Sequence, residues 1–481
     1  MKSFFKSPVN FMVSLFLVLL IIFWSVWYLA FRHYIVWLEG FSYFSTLPDF
    51  TAMYRSIPEG LPGYIGAFLH QFYSMPVLGA AIQAFFTIWP TICVGIILLR
   101  LFKEPFRLMW LAFIPMLFIA RRQFWDLLMF KTVIYSMVST GLMLLTVLVT
   151  CFRRPELGLP NFLRNKYMTL LLIVLLVANS VFVIVALEPR NREFEERARL
   201  EYLGERGRWD EILRIVQPRD AKEDAFKRRY AQLALSQKGI LSDYAFRYGL
   251  SSSEDFIFRD AIEPVMLNFN ALSYQCHGMY NASIHQAYQL GVQSVAGVSF
   301  SSLRRLADIY LELGDHELAK KYLDVLSHST CHRKWVRERM ARLEEMEKTD
   351  PKYGTPMKDA VIAGFTHTVS SMVDRDRGNR MYADLLLCSL LADEEGDMFK
   401  NIFAYVAPYQ YPHGSKIPRL YEEALVLIST VDPHVLDNYV ISEDTRSRFS
   451  DYVGLMNAGR GNQALRKHAD TYWAYSYLGS L

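Results

Sequence analysis

The strongest constraint on this chain is the crowding of its long apolar runs into the first 187 residues, at roughly 10–31, 76–99, 108–120, 132–151 and 167–187. A helix needs about 20 predominantly apolar residues to cross a hydrocarbon core of about 30 Å. Four runs meet that length as they stand. The third is too short alone and reaches it only by continuing through "RRQFWDLLMF", which makes 107–130 the span. The first run follows Lys2 and Lys6 as a signal peptide would, but "WYLAFRH" offers no small-residue cleavage site, so it reads as an uncleaved anchor.

Charge divides the chain at the same place. Residues 1–187 hold 14 Lys and Arg against 6 Asp and Glu, whereas residues 188–481 hold 38 against 42. No basic stripe is concentrated enough for a nucleic-acid partner. Basic residues favour the cytoplasmic side of a membrane. With five spans (10–31, 76–99, 107–130, 132–151, 167–187) and a cytoplasmic N-terminus, nine Lys and Arg fall inside and five outside. If 108–120 instead dips in and returns, the split is eight to six. The cluster "FRRPELGLPNFLRNK" is cytoplasmic only in the five-span arrangement, which puts residues 188–481 outside the cytoplasm. Arg121 and Arg122 then mark the outer end of the third span, with Asp126 four residues after Arg122 able to pair with it. They serve as interfacial anchors or, with Lys131, as a site for an anionic lipid headgroup or lipid-linked phosphate, which a guanidinium fork suits.

The outer loop, 32–75, contains "GLPGYIGAFLHQFYSMP", where Tyr64, Phe68 and Phe72 share one face of a short interfacial helix. With "VLGAAI" after it, this stretch resembles the start of an uncharacterised bacterial family of multi-pass membrane proteins. The resemblance implies a small membrane half, a helical soluble half and an aromatic end like "TYWAYSY". It implies no activity.

In the soluble half, "LRRLADIYLELGDHELAKKYLDVL" (303–326) places Leu306, Ala307 and Tyr310 on one helix face, turns at Gly314-Asp315, and resumes with Leu318, Ala319 and Tyr322. This is similar to a tetratricopeptide repeat, except that Cys331 stands where a proline usually follows the second helix. Weaker copies turn at Gly207, Gly239 and Gly278; successive turn glycines are 32, 39 and 36 residues apart, near the expected period of about 34. The fold class expected is therefore all-α: a small multi-pass transmembrane helix bundle over 1–187, then a tetratricopeptide-like α-solenoid over 188–481.

Chemistry-bearing patterns are sparse. No phosphate loop, nucleophile elbow or helical zinc-protease motif occurs. Five cysteines, three of them in the soluble half, give no disulfide framework. The dipeptides Cys276-His277 and Cys331-His332 lack the paired spacing of a metal site, and Asp374-x-Asp376 stands without a nucleotide-binding domain. No cofactor or metal is expected. Two functions follow. One is a membrane-anchored helical-repeat scaffold that contacts membrane lipid and binds an envelope protein through the solenoid. The other is a multi-pass membrane glycosyltransferase or lipid-linked carrier enzyme: the acidic residues Glu39 and Asp49 after the first span resemble the loop in which such enzymes place a general base or metal ligand, with Arg121, Arg122 and Lys131 on the phosphate.

Overall fold

The computed structural model describes residues 8–125, 129–152, 157–158, 166–294, 296–349, 364–411 and 415–479. Among these the chain is helical throughout, and the only β pairing is an isolated parallel bridge between Phe102 and Leu157. It forms two compact units. The first holds Met1–Tyr202 and Tyr288–Gly354; the second holds Leu203–Ala287 and Thr355–Leu481. The helix Lys166–Gly204 runs without a break through the point where the apolar composition ends.

In the first unit, three helices among the described residues are long and apolar enough to cross a membrane: Val13–Ala30, Pro76–Leu101 and Met129–Phe152. Half of the Pro76–Leu101 window is buried, against 6% and 17% for the other two, so this helix is the axis of the bundle. Its sequence explains the position. Gly79, Ala80 and Ala84 keep one face thin, and a Cβ on Gly79 would collide with the Ile35 side chain. Where one continuous helix is expected over 107–130, the structure has a 3₁₀ segment, Pro105–Ala112, followed by the α-helix Phe113–Trp125. Pro115 accounts for the join, because proline is tolerated in the first turn of an α-helix but would clash with the carbonyl four residues earlier if the helix began before it. The segment nevertheless runs straight along the axial helix. Leu108 and Ala112 pack with Leu98, while the Gln123 amide contacts Thr87 at 2.6 Å and the Gln83 carbonyl at 3.4 Å. That covers fifteen residues of its neighbour, about 22 Å at 1.5 Å per residue, with no return.

The second unit is organised around Arg380–Ala392, buried continuously from Ala383 to Ala392. A helix apolar on every side belongs at the centre of its domain. It packs against Ala225–Gln237, Leu241–Tyr244, Phe365–Arg375 and Gly396–Gln410. Asp384 lies within this core, where burial raises its carboxyl to about 6; the Tyr421 hydroxyl donates to it at 2.6 Å.

Across both units the expected helical turns form as read. Gly207, Gly239, Gly278 and Gly314 all take left-handed φ between 62° and 73°, a region that glycine enters without the penalty a Cβ would bring.

Candidate functional site: a buried clasp at Glu39

The helix Arg32–Gly40 begins without a capping side chain of its own, leaving its first N–H groups in need of acceptors. Glu195 supplies them from 162 and 161 residues away. Its carboxylate accepts from the backbone N–H of His33 (3.3 Å) and Tyr34 (2.9 Å), and lies 2.6 Å from His33 Nδ1. A negative charge at a helix N-terminus is also favoured by the helix dipole. One turn further on, the Trp37 indole donates to Glu201 at 3.0 Å. The helix that carries Glu39 is thus held rigidly.

At its other end this helix meets Phe300–Leu313, the first of a helix pair with His316–Ser327. Glu39, only 6% exposed, lies with its Oε1 2.5 Å from Nε2 of His332, which is 9% exposed. A carboxylate only accepts, so Nε2 carries the proton. The imidazole stacks on the Phe300 ring at 3.6 Å. Around this pair the 32–75 segment and residues 300–332 exchange hydrogen bonds. Phe300 N–H donates to the Ser42 carbonyl (3.1 Å), Thr46 N–H to that of His328 (3.4 Å), and the Tyr43 hydroxyl to that of Val325 (2.6 Å). The buried amide oxygen of Gln71 accepts from both the Ser329 hydroxyl (3.1 Å) and the Thr330 N–H (2.8 Å). Gly40 permits this approach, since a Cβ there would strike the Ser301 hydroxyl. The Cys331 thiol beside the pair is pushed up by burial and by the Glu39 carboxylate.

The free space bordering Glu39 and His332 is only about 10 Å³, the lower limit for a single water. The other sequence candidates are placed apart from this pair. Asp49 is exposed in the first turn of Pro48–Ser56 and shares no hydrogen bond with Glu39. Arg121 is exposed and Arg122 half-buried on Phe113–Trp125, and Lys131 is half-buried near the start of Met129–Phe152. Asp126, the expected partner of Arg122, lies outside the described residues. Among the described residues no group of three or more His, Cys, Asp or Glu is placed to hold a metal. His277 sits instead between the hydroxyls of Ser236 (2.9 Å) and Ser273 (3.4 Å), and burial lowers its imidazole to about 4. Asp376 accepts from the Gly378 N–H at 3.2 Å in a local turn.

Nothing in the sequence marks Glu195 or Gln71 for these roles. Only His332 carried a signal, the Cys-His dipeptide, and that pattern points to metal rather than to a carboxylate 293 residues earlier.

Helices throughout the described residues, three of them apolar and of membrane-crossing length, and a clasped 32–75 segment define a class of architecture rather than an activity. Residues 6–188 and 155–479 match the family described as a family of unknown function (DUF6057). The chain belongs to that family. No curated protein matches it, and no solved structure does.

Proposed function

We propose that this chain is a membrane-anchored helical-repeat scaffold of a bacterial cell envelope, with its soluble helices on the periplasmic side and a protein partner bound by the second unit. The observation that carries the reading is a cleft of about 790 Å³ in that unit, lined by Lys222, Asp243, Tyr244, Arg247, Asp470 and Tyr475 among others. Exposed charges of both signs interleaved with tyrosines suit a polypeptide segment, because the charges select register and the rings supply contact area. Left-handed glycine turns at repeat-like intervals support a solenoid-like arrangement of the helix pairs. The topology rests on the nine-to-five charge split. The straight run of 105–125 along its neighbour supports a third crossing.

The test is site-specific photo-crosslinking in native membranes, with a photoreactive residue at Tyr244 of the full chain. A discrete adduct, lost when Lys222 and Arg247 are both changed to Glu, is expected. The same bands from a photoreactive residue at the exposed Glu317 would sink the reading. The alternative, a membrane glycosyltransferase or lipid-linked carrier enzyme, has less support. A general base must lie within reach of its substrate, and Glu39 is held by His332 with no room beside it.

A further inference from the structure

The first unit contains a second, much larger space, a cavity of about 340 Å³, within the size range of small-molecule sites. It lies where the Arg32–Gly40 and Gly60–His70 helices meet the start of Met129–Phe152 and the far part of Lys166–Gly204. Its walls are largely aromatic, with Trp37, Phe41, Tyr54, Phe130 and Phe194 among them. Gly63 and Gly66 let the Gly60–His70 helix close over it. A Cβ on Gly63 would stand 2.9 Å from the Tyr54 ring, and one on Gly66 3.2 Å from the Phe130 backbone nitrogen.

Two polar atoms of the lining have no partner. They are the hydroxyl of Tyr34, a side chain 5% exposed, and Nε2 of His70. A buried hydroxyl or ring nitrogen without a hydrogen bond is unfavourable, and native structures retain few of them without cause. Burial keeps the His70 imidazole neutral, lowering it to about 4. Among the described lining residues none is acidic, and the one formal charge is the guanidinium of Arg190. Arg190 is near enough to act electrostatically on the Tyr34 hydroxyl.

We infer that this cavity binds an amphiphile with an anionic head. The chain lies among the aromatic rings. The carboxylate or phosphate is met by Arg190, by the Tyr34 O–H, and by His70 with its proton on Nε2. The described lining offers a cationic head no carboxylate. Met129 and Phe130, at the start of an apolar helix of membrane-crossing length, line the cavity, so a fatty acid and a lipid phosphate are the two sources with this chemistry.

The experiment uses the full chain in dodecyl maltoside and reads the thermal midpoint while titrating dodecyl phosphate, laurate, dodecyltrimethylammonium and inorganic phosphate. A saturable rise with dodecyl phosphate, laurate or both is expected, and which of the two binds more tightly identifies the source. Tyr34→Phe should weaken the response about tenfold, the loss of one good hydrogen bond, yet leave the ligand-free midpoint equal or higher because it removes an unpartnered hydroxyl. Arg190→Gln should weaken it at least as much. An equal rise with dodecyltrimethylammonium or with inorganic phosphate alone, or an undiminished response in Tyr34→Phe, would overturn the assignment.

Discussion

Two helix pairs with the same local pattern have opposite means of attachment. The pair Phe300–Leu313 and His316–Ser327 lies in the first unit, turns at Gly314, and is amphipathic. Its second helix is capped by Asp315, which accepts from the Leu318 N–H at 3.0 Å. Beside it, His332, Ser329 and Thr330 fasten to Glu39 and Gln71 through a few directional polar contacts. The pair Arg380–Ala392 and Gly396–Gln410 lies in the second unit and is surrounded by apolar side chains, with Phe399 and Phe403 fully buried. Its turn places Glu394, not glycine, at a φ of 59°. A clasp of buried polar groups depends on both partners being present. A core of interdigitated side chains depends on volume. The two regions should therefore fail under different changes.

The largest expected effect is His332→Leu. Removing one partner of a buried pair leaves the Glu39 carboxylate without compensation, a change that typically costs about 3–5 kcal/mol. The double variant Glu39→Leu with His332→Leu should recover much of that loss, since a packed apolar replacement of both partners is often near neutral. Both are measured as thermal midpoints of the full chain in detergent. A single variant no worse than the double would mean that the clasp does not hold the loop.

Acid should separate the units next. In the second unit His277 titrates near 4 when folded, below its ordinary 6.5. Between these values the unfolded chain binds the extra proton, so stability falls as pH drops from about 6.5 to 4, by up to about 1.4 kcal/mol per pH unit. Glu423 has the opposite sign. Burial raises it to about 7, against the Arg419 guanidinium and the Tyr472 N–H that favour its charged form. The folded state holds that proton more tightly, so its contribution is lost as pH rises from about 4.5 to 7. Glu423→Gln should gain on the parent across that interval, and a constant difference between the two would remove the basis for the sign.

Packing within the first pair is the third target. Ala319 is fully buried where the two helices approach. Ala319→Leu overfills that contact and should cost about 1–3 kcal/mol, whereas Glu317→Leu on the exposed side should stay within about 0.5 kcal/mol. Equal shifts would place the repeat in the wrong register. The smallest effect is expected at Glu394→Gly. It relieves a left-handed residue, worth about 1–2 kcal/mol, and adds unfolded-state freedom that offsets about 0.5–1 kcal/mol of it. A slight rise in midpoint is the outcome, and a fall would show that the Glu394 side chain stabilises the turn.

The turn glycines and three of the apolar helices are legible in the sequence, because each depends on residues within one or two turns of one another. Two local expectations differ: the break inside 107–130 is traceable to Pro115, and Phe72 falls in the 3₁₀ turn Gln71–Ser74 rather than on the helix that carries Tyr64 and Phe68. The site was another matter. Glu39 was visible as an acidic residue in an outer loop, and its reading as a catalytic base followed from that position alone. Nothing near it in the chain announces His332, and nothing near Arg32 announces that Glu195 caps its helix.

What the sequence by itself determined, then, is where helices form and which of them suit lipid, since periodicity, capping residues and apolar length are short-range properties. Only the tertiary structure decided that the helix pair at 300–327 belongs with the 32–75 segment, and that Glu39 is a structural partner rather than an exposed acid. The reason is physical. A buried carboxylate is tolerated wherever a proton donor meets it, and which donor does so is settled by the packing of helices hundreds of residues apart, where chain proximity carries no information.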